Sequence, residues 1–246
     1  MLHLRPRVVK EGEVIFHTRL PRYSLQSARL LLFSVMTFHE LRQLIAADLH
    51  RYDAGSGWRD FMQQWLKESG FRFTVLMRLC AFLRSKPLTR YGVYHFFLWL
   101  HRRMQVRYGT YIEFSTSIGP GLYLGHPNSI VINTRSVIGA NCTLSHGVTL
   151  GQTHERSKHP GVPIIGDRVY LGCGAKILGG IKIGNDAVVA PNAVVVSDVP
   201  AGAVVGGIPA RVLSIGGSDG YVSNVWPLQT SGDSEKKPPS IQVSEY

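Results

Sequence analysis

Apolar residues follow a helical period in the first part of the chain. Between residues 37 and 104 they recur at intervals of three and four, as in Leu41, Leu44 and Ile45, which is the spacing of one helix face. Segments that contain glycine or proline interrupt this pattern at 53–57, 69–70 and 86–87. The pattern predicts about four helices in a region that spans residues 37–110.

From Ile118 onward an aliphatic residue returns every six positions. The first residues of this column are Ile118, Leu124 and Ile130, and after a slip of two residues come Ile138, Leu144 and Leu150. The period resumes at Ile165, Leu171, Ile177, Ile183, Val189 and Val195. Small or aliphatic residues two positions earlier form a second inward set. Such a hexapeptide repeat predicts a parallel β-helix with three strands per coil and coils stacked about 4.8 Å apart.

Three segments fit neither period. Residues 152–163 lack the aliphatic column and contain two His and two Pro, so we expect a loop that leaves a β-helix spanning residues 111–213. Residues 214–246 are polar and rich in Ser, Gly and Pro, which is typical of a disordered tail. Residues 1–36 form an extension that we leave unassigned, because we hypothesise that translation begins at Met36.

The positive charge of the chain is concentrated in its first part. Lys and Arg number 27 against 16 Asp and Glu, a net charge of +11, and residues 1–110 carry all of this excess. Cys80, Cys142 and Cys173 are odd in number and lack a CxxC spacing, which argues against a disulfide framework or structural zinc and favours a cytoplasmic location. The apolar runs are shorter than the roughly 20 residues that cross a bilayer, and no signal peptide is found.

A basic and amphipathic stretch lies at residues 71–83. Apolar residues are interleaved there with Arg72 and Arg78, and Arg84 follows, so we expect one apolar and one cationic helix face. This pattern suggests peripheral contact with anionic lipid at the inner membrane face. The alternative, which we favour, is a solvated face on an oligomerising helical cap. No nucleic-acid motif accompanies the charge, so we expect no nucleic-acid partner.

Four strings in the repeat region carry a resemblance to a known family. They are GPGLYLGHPNSIVIN at 119–133, IGANCTLSHGVTLGQ at 138–152, GCGAKILGGIKIG at 172–184 and GGIPARV at 206–212. The chain resembles the serine acetyltransferase family of hexapeptide acyltransferases over about residues 37–213. The resemblance implies a mainly β protein with an α-helical N-terminal part, and a left-handed parallel β-helix. It also implies a homotrimer or a dimer of trimers, acetyl-CoA bound between neighbouring coils, and no metal.

The resemblance places the catalytic histidine at His126, in the string LGHPNS. A neutral imidazole there would act as general base and take the proton of the acceptor hydroxyl. His159, beside Lys158, falls where the serine enzymes carry a second functional histidine, and we expect it to face the substrate; the alternative is a mobile loop residue. We expect a structural role for His146, either inward or facing the groove.

Two departures from the family pattern concern the carboxylates that support this histidine. Gly125 stands where the serine enzymes place an Asp that helps to hold serine. Tyr111 stands where they place a second Asp, which orients the imidazole. Glu113 lies nearby in sequence and is predicted to replace the second carboxylate, although a solvated residue at the rim of the site is the alternative.

The resemblance also implies where acetyl-CoA binds. Small residues would let the pantetheine arm approach the backbone of the coils, and Arg211 or Lys176 could pair with the phosphates of coenzyme A. A Pro-Ala-Arg turn of the family corresponds to residues 209–211. The predicted cofactor-binding residues are Gly151, Gly172, Gly174, Ala175, Lys176, Pro209, Ala210 and Arg211.

The missing carboxylates favour O-acetylation of a sugar hydroxyl in a surface polysaccharide or its precursor. The VIN string at 131–133, which resembles polysaccharide acetyltransferases, and the basic first part agree with this glycan acceptor. The alternative is a serine O-acetyltransferase acting on L-serine for cysteine biosynthesis, although Tyr246 stands where serine enzymes end in the Ile that docks onto cysteine synthase. A zinc hydratase of the γ-carbonic anhydrase type is disfavoured because residues 139–145 contain no histidine. A catalytically silent assembly module would require His126 to be dispensable.

Overall fold

The computed structural model describes residues 36–55, 57–86 and 92–228. The predicted extension before Met36 and the last part of the predicted tail lie outside these residues. The helical region contains α1 (Phe38–His50), α2 (Trp58–Lys67), α3 (Ser69–Arg84) and α4 (Val93–Tyr108), as the helical period predicts. Helix α1 begins with a capping box, in which the Thr37 hydroxyl accepts from the Glu40 amide and the Glu40 carboxylate accepts from the Thr37 amide.

Helix α3 is the centre of the helical region. Helices α1, α2 and α4 all pack against it, and ten of its sixteen residues are buried. It also packs on the first coil. Gly70 lies so close to the backbone of this coil that a Cβ atom would overlap the carbonyl oxygen of Leu124. Glycine is therefore needed at this position for the helix to reach the coil.

A buried ion pair joins two helices to the first coil. Arg78 Nε lies 3.1 Å from Asp48 Oδ2, and both side chains are almost fully buried. The Arg78 guanidinium also donates to the carbonyl oxygens of Ile118 and Gly119, at 2.7 and 2.6 Å. The amide of Leu122 donates to Asp48 Oδ1 at 2.8 Å. The two side chains thus neutralise each other's charge and also form hydrogen bonds with backbone groups of the coil.

This pairing changes the interpretation of the basic stretch at 71–83. Arg78 lies inside the protein, and Arg72 donates to the carbonyl oxygens of Trp65 and Leu66 at the end of α2. The predicted cationic face is therefore reduced on α3, because Arg72 and Arg78 join elements and only Arg84 of the three arginines is exposed. No helix in the described part of the chain has both the length and the apolar character needed to cross a membrane.

The rest of the described chain forms a left-handed parallel β-helix, as predicted. Three sheets run along it, with the orders β1-β4-β7-β10, β2-β5-β8-β11-β13-β14 and β3-β6-β9-β12. All neighbouring strands are parallel except β13 and β14, which form an antiparallel hairpin. The strands are β1 Ser117–Ile118, β2 Tyr123–Leu124, β3 Val131–Ile132, β4 Val137–Ile138, β5 Thr143–Leu144, β6 Thr149–Gly151, β7 Ile164–Ile165, β8 Tyr170–Leu171, β9 Lys176–Leu178, β10 Lys182–Ile183, β11 Val188–Val189, β12 Val194–Val195, β13 Ala203–Gly207 and β14 Ala210–Ile215.

The first coil is two residues longer than the repeat. Leu124 pairs with Leu144, 20 positions later, whereas Ile132 pairs with Leu150, 18 positions later. The extra residues therefore lie between Leu124 and Ile132, and not after Ile130 as the sequence pattern suggested. That placement was wrong because Ile130 and Ile132 are both buried aliphatic residues, so either one can be counted as the next member of the column.

Residues 152–163 leave the coil as a loop between β6 and β7. Leu150 pairs with Ile177, 27 positions later, so this coil is nine residues longer than an 18-residue one. The loop is anchored at both ends, because Thr153 pairs with Gly161. The His159 carbonyl oxygen accepts from the Thr153 hydroxyl at 2.5 Å and from the Gly180 amide at 3.0 Å.

The beginning of the predicted disordered tail is packed against the coils. The backbone of Trp226 exchanges two hydrogen bonds with the Asn141 side chain, at 2.8 and 3.0 Å. Ser218 and Val222 are buried. Residues 214–228 thus differ from the expectation, because a few apolar side chains and one buried amide hold a segment whose composition is otherwise polar.

Candidate active site

The corner of the first coil that follows β2 carries His126. We call residues 125–130 the His126 corner. The end of α4 holds it: the Thr110 hydroxyl donates to the Pro127 carbonyl oxygen, and the Ser129 amide donates to the Tyr108 carbonyl oxygen at 2.9 Å. The two extra residues of this coil lie here, and the His126 side chain is exposed.

His146 occupies the same corner of the next coil. Because β2 and β5 are paired in register, the residues that follow them by two positions, His126 and His146, lie one above the other. Their ring centroids are 6.5 Å apart, and the His146 side chain is also exposed. His146 therefore faces outward beside His126. The equal spacing of the two histidines from Leu124 and Leu144 was the signal in the sequence for this pair.

Tyr111 and Glu113 form a contact of their own beside the first coil. The Tyr111 amide donates to the Ile130 carbonyl oxygen at 2.7 Å. The pKa of the Tyr111 phenol is raised by the charge of Glu113 and by the hydrogen bond that the phenol donates to that carboxylate. Glu113 also adds to the effect of burial on Cys80, whose pKa rises to about 12. Among the described residues, no hydrogen bond joins Glu113 to His126.

Lys176 is held against the coils close to the histidine pair. Its ammonium donates to the Gly147 carbonyl oxygen at 2.7 Å and to the Thr149 hydroxyl at 3.0 Å. An ammonium has three N–H donors, so one of them is left for a further acceptor. Lys176 can therefore offer only one donor to a phosphate of coenzyme A, which is less than the sequence suggested, because its other two donors are used within the fold.

The small residues of the predicted acetyl-CoA site are required by the packing of the coils. Gly174 has φ +71°, and a side chain there would meet Asn192. A Cβ at Gly172 would lie 2.7 Å from the Pro191 nitrogen, and one at Gly151 would lie 2.7 Å from a methyl group of Leu178. Ala175 differs from the prediction because its side chain is fully buried inside the coil.

The predicted Pro-Ala-Arg turn is the hairpin between β13 and β14. Pro209 and Arg211 are exposed, whereas Ala210 is buried. The Arg211 guanidinium donates to the Ala210 carbonyl oxygen at 2.9 Å, which leaves most of its donors directed to solvent. His159 is half-buried in the loop over 152–163, where its backbone rather than its imidazole anchors the loop.

The site as a whole presents exposed imidazoles at a corner lined by backbone groups. Within the described residues no group of three or more His, Cys, Asp or Glu side chains is placed to hold a metal ion. A solvent-accessible imidazole can exchange a proton with a bound hydroxyl. The arrangement therefore suits proton transfer to or from a substrate that lies along the outside of the coils.

Comparison with known proteins agrees with this fold. The model described as "Bacterial transferase hexapeptide (six repeats)" matches residues 163–197, and that of the "Hexapeptide repeat of succinyl-transferase" matches residues 129–153. Serine acetyltransferase of Mycobacterium tuberculosis is 44% identical over 98 residues, which are 39% of this chain and 42% of that protein. The chain spans less than two thirds of the length of the first curated relatives it matches.

Two solved structures cover more of the chain. Neisseria gonorrhoeae serine acetyltransferase in complex with serine is 30% identical, with a TM-score of 0.57, and the match covers 76% of this chain and 74% of that one. The Brucella abortus enzyme in complex with coenzyme A is 30% identical, with a TM-score of 0.60, and the match covers 78% and 74%. This chain belongs to the serine acetyltransferase family.

The prediction of a sugar acceptor is wrong. The relatives of this family member are serine acetyltransferases, and two of their solved structures contain serine. The prediction relied on the absence of carboxylates at Gly125 and Tyr111. The absence of two side-chain groups does not determine which substrate binds. The prediction also relied on a cationic helical face, and the buried Arg78 belongs instead to an internal ion pair.

Proposed function

We propose that this chain is an acetyl-CoA-dependent O-acetyltransferase that acts on L-serine. The observation that carries the proposal is the likeness to the serine-bound Neisseria gonorrhoeae enzyme across 76% of the chain. The exposed imidazole of His126 supplies a group able to carry out the proton transfer. The coenzyme A complex of the Brucella abortus relative supports acetyl-CoA as the donor.

In the proposed reaction, His126 acts as the general base. Its imidazole takes the proton of the serine hydroxyl while the hydroxyl oxygen forms a bond to the carbonyl carbon of the thioester, a type of assistance that contributes roughly 10²- to 10⁴-fold. The C–S bond then breaks, and the sulfur leaves as a thiolate that takes the proton back from the imidazolium. Because thiols ionise near about pH 8.5, the sulfur leaves readily and no acyl-enzyme is needed.

The acceptor is held by groups other than the family's carboxylate. Gly125 offers no side chain, and a Cβ there would lie 3.4 Å from the ring of Tyr123. We propose that His159 contacts the carboxylate of serine from the loop over 152–163, with the exposed Lys158 adding positive charge. His146, 6.5 Å from His126 between ring centroids, would line the same groove. Glu113 has no role in this proposal because its carboxylate is engaged by Tyr111.

Acetyl-CoA would lie along the outside of the coils. The exposed Arg211 is well suited to the phosphate groups, since a guanidinium forms paired hydrogen bonds with phosphate oxygens. Lys176 would add one donor. The glycines at 151, 172 and 174 let neighbouring coils approach each other closely, and the pantetheine arm would lie against this closely packed backbone.

A homotrimer would complete the groove. Exposed apolar side chains, among them Val131 on β3 and Val196 after β12, lie on the outside of the coils. Their burial against a neighbouring copy would stabilise an assembly. We propose that the coil of this neighbour forms the second wall of the groove beside the His126 corner.

The proposed role of His126 is tested by measuring thiol release from acetyl-CoA in the presence of L-serine. We expect the His126→Ala variant to lose at least about 10²-fold in turnover while its circular dichroism spectrum is unchanged, because the side chain is exposed and supports no packing. His39→Ala, which removes an exposed histidine of α1, serves as the matched control and should behave like the unaltered protein. Near-normal turnover of His126→Ala would assign the base to another residue.

A further inference from the structure

A cavity of about 280 Å³ lies where the helical region meets the second sheet. Its walls come from three parts of the chain: the end of α1 and α2, strands β2 and β5, and the segment after β14 that includes Tyr221. The volume is near the lower end of the range for small-molecule pockets. We call it the Arg51 cavity. None of the candidate site residues described above is among the residues that line it.

Arg51 is the unusual residue of this cavity. It is only 3% exposed, and its Nη2 donates to the Thr143 hydroxyl at 2.8 Å. Within the described chain, its Nε and Nη1 are buried and have no hydrogen-bond acceptor. The guanidinium carbon lies 6.0 Å from the centroid of the Tyr123 ring, a contact that offsets little of the cost of burial. A buried cation with unused donors is costly unless an anion pairs with it.

The geometry of these donors selects the type of anion. A guanidinium presents its N–H donors along two planar edges, Nε with one Nη group and the two Nη groups together, and each edge can meet two oxygens of one anion. Carboxylates and phosphates both fit such an edge, whereas the ammonium of a lysine has no planar edge to offer. Burial lowers the pKa of Arg51, so an anion in the cavity would also favour the charged form of the side chain. The first element of recognition is therefore an anion with two adjacent oxygens, such as a carboxylate.

The cavity carries negative charge as well. Glu68 lines it with a side chain that is 28% exposed, and its carboxylate lies 3.6 Å from the ammonium of the exposed Lys67. Both Glu68 and Arg51 act on the phenol of Tyr123, because burial and Glu68 raise its pKa while Arg51 lowers it. Arg51 and Lys67 line the cavity together with Asp53 and Glu68, so groups of both charges face it, an arrangement that suits a ligand carrying both charges.

We propose that the Arg51 cavity binds a small zwitterion of the α-amino acid type, with its carboxylate on Arg51 and its ammonium toward Glu68. Tyr221 and Ser223, from the segment after β14, would form one wall around the ligand. Hydrogen bonds between the Trp226 backbone and the Asn141 side chain hold this segment in place. This site is separate from the His126 corner and does not depend on the proposed transferase reaction.

The test is calorimetric titration of the full chain with glycine, which has no hydroxyl to acetylate. We expect saturable binding of one glycine per chain, and at least about tenfold weaker binding by Arg51→Lys, which keeps the charge but loses the paired donors. Glu68→Gln should weaken glycine binding and leave acetate binding unchanged. Arg42→Met, which removes an exposed arginine of α1, should bind glycine normally.

Several results would overturn the proposal. The first is no glycine binding up to about 10 mM, and the second is equally tight glycine binding by Arg51→Lys. The third is binding of acetate and inorganic phosphate as tightly as glycine, which would indicate a site for anions alone. The His126→Ala variant separates this site from the proposed active site, since it should bind glycine at the Arg51 cavity unchanged. Loss of glycine binding in that variant would place the ligand at the His126 corner instead. If Arg51→Lys fails to fold, the Glu68→Gln comparison of glycine with acetate decides the question.

Discussion

At the scale of single residues, the histidines of this protein show how position determines chemistry. His126 and His146 are exposed at stacked corners, where an imidazole can meet a substrate. His101 on α4 is buried at 2% exposure, packs edge-on against Phe73 at 5.0 Å between ring centroids, and has no hydrogen-bond partner for either nitrogen among the described residues. One residue type thus stands at an accessible corner, where we propose that it transfers a proton, and also inside the packing of the helices.

The burial of His101 predicts a loss of stability in acid. Burial and the nearby charge of Arg102 lower its pKa to about 4, whereas an unfolded chain protonates a histidine near about pH 6.5. The unfolded state therefore binds more protons below that pH, and the free energy of unfolding falls as pH decreases from 6.5 toward 4. Between pH 7.5 and pH 5 we expect His101 to remove about 2 kcal/mol.

Urea unfolding at these two pH values measures the contribution. The difference between them should be smaller by about this amount in His101→Phe, because the phenyl ring keeps the packing and does not titrate. His95→Phe, a substitution of an exposed histidine on the same helix, should keep the full pH dependence. An unchanged pH dependence in His101→Phe would contradict the account of the buried imidazole.

At the scale of elements, the attachment of helices to coils includes buried polar contacts as well as apolar ones. Asp48 of α1 and Arg78 of α3 meet inside the protein and bind backbone groups of the first coil. Tyr52, which follows α1, donates its hydroxyl to the Leu124 carbonyl oxygen at 3.1 Å. These contacts fix the helices beside β2, the strand that leads into the His126 corner, so the helical region positions the site.

Asp48→Asn tests the buried ion pair. The amide keeps an oxygen acceptor for the Leu122 amide but leaves Arg78 without a counter-charge, so we expect a loss of about 3 to 5 kcal/mol in the free energy of unfolding. Asp219→Asn, which changes an exposed carboxylate, is the matched control and should change it by less than about 0.5 kcal/mol. Urea unfolding at one fixed protein concentration measures both. A loss below about 1 kcal/mol for Asp48→Asn would contradict the structural importance of the pair.

The elements also show how far sequence patterns reach. The six-residue period predicts the coils because every inward position must be apolar, and the helical period predicts α1 to α4 for the same reason. The six-residue period does not locate the longer corner of the first coil, since Ile130 and Ile132 both fit the inward pattern. Nor does it reveal that Arg78 is internal, because its partner Asp48 lies 30 positions away. Contacts between distant residues leave no periodic signal.

At the scale of the whole molecule, the coils form a stack in which each coil pairs with its neighbours, and the site that we propose lies at the irregular coils. Two residues added to the first coil form the His126 corner, and nine added to a later one form the loop with His159. The resemblance indicated His126 because its motif is local. The missing carboxylates misled on the acceptor, since the acceptor is held by several segments together and no single position encodes that surface.

Mass spectrometry of the reaction product tests the central claim most directly. The purified full chain is incubated with L-serine and acetyl-CoA labelled in the acetyl group, and the products are separated. The account predicts that the label appears in O-acetyl-L-serine in the same molar amount as the free thiol released, and that His126→Ala forms at least about 10²-fold less of it. Thiol release that is the same with and without serine, with the label recovered as free acetate, would contradict it.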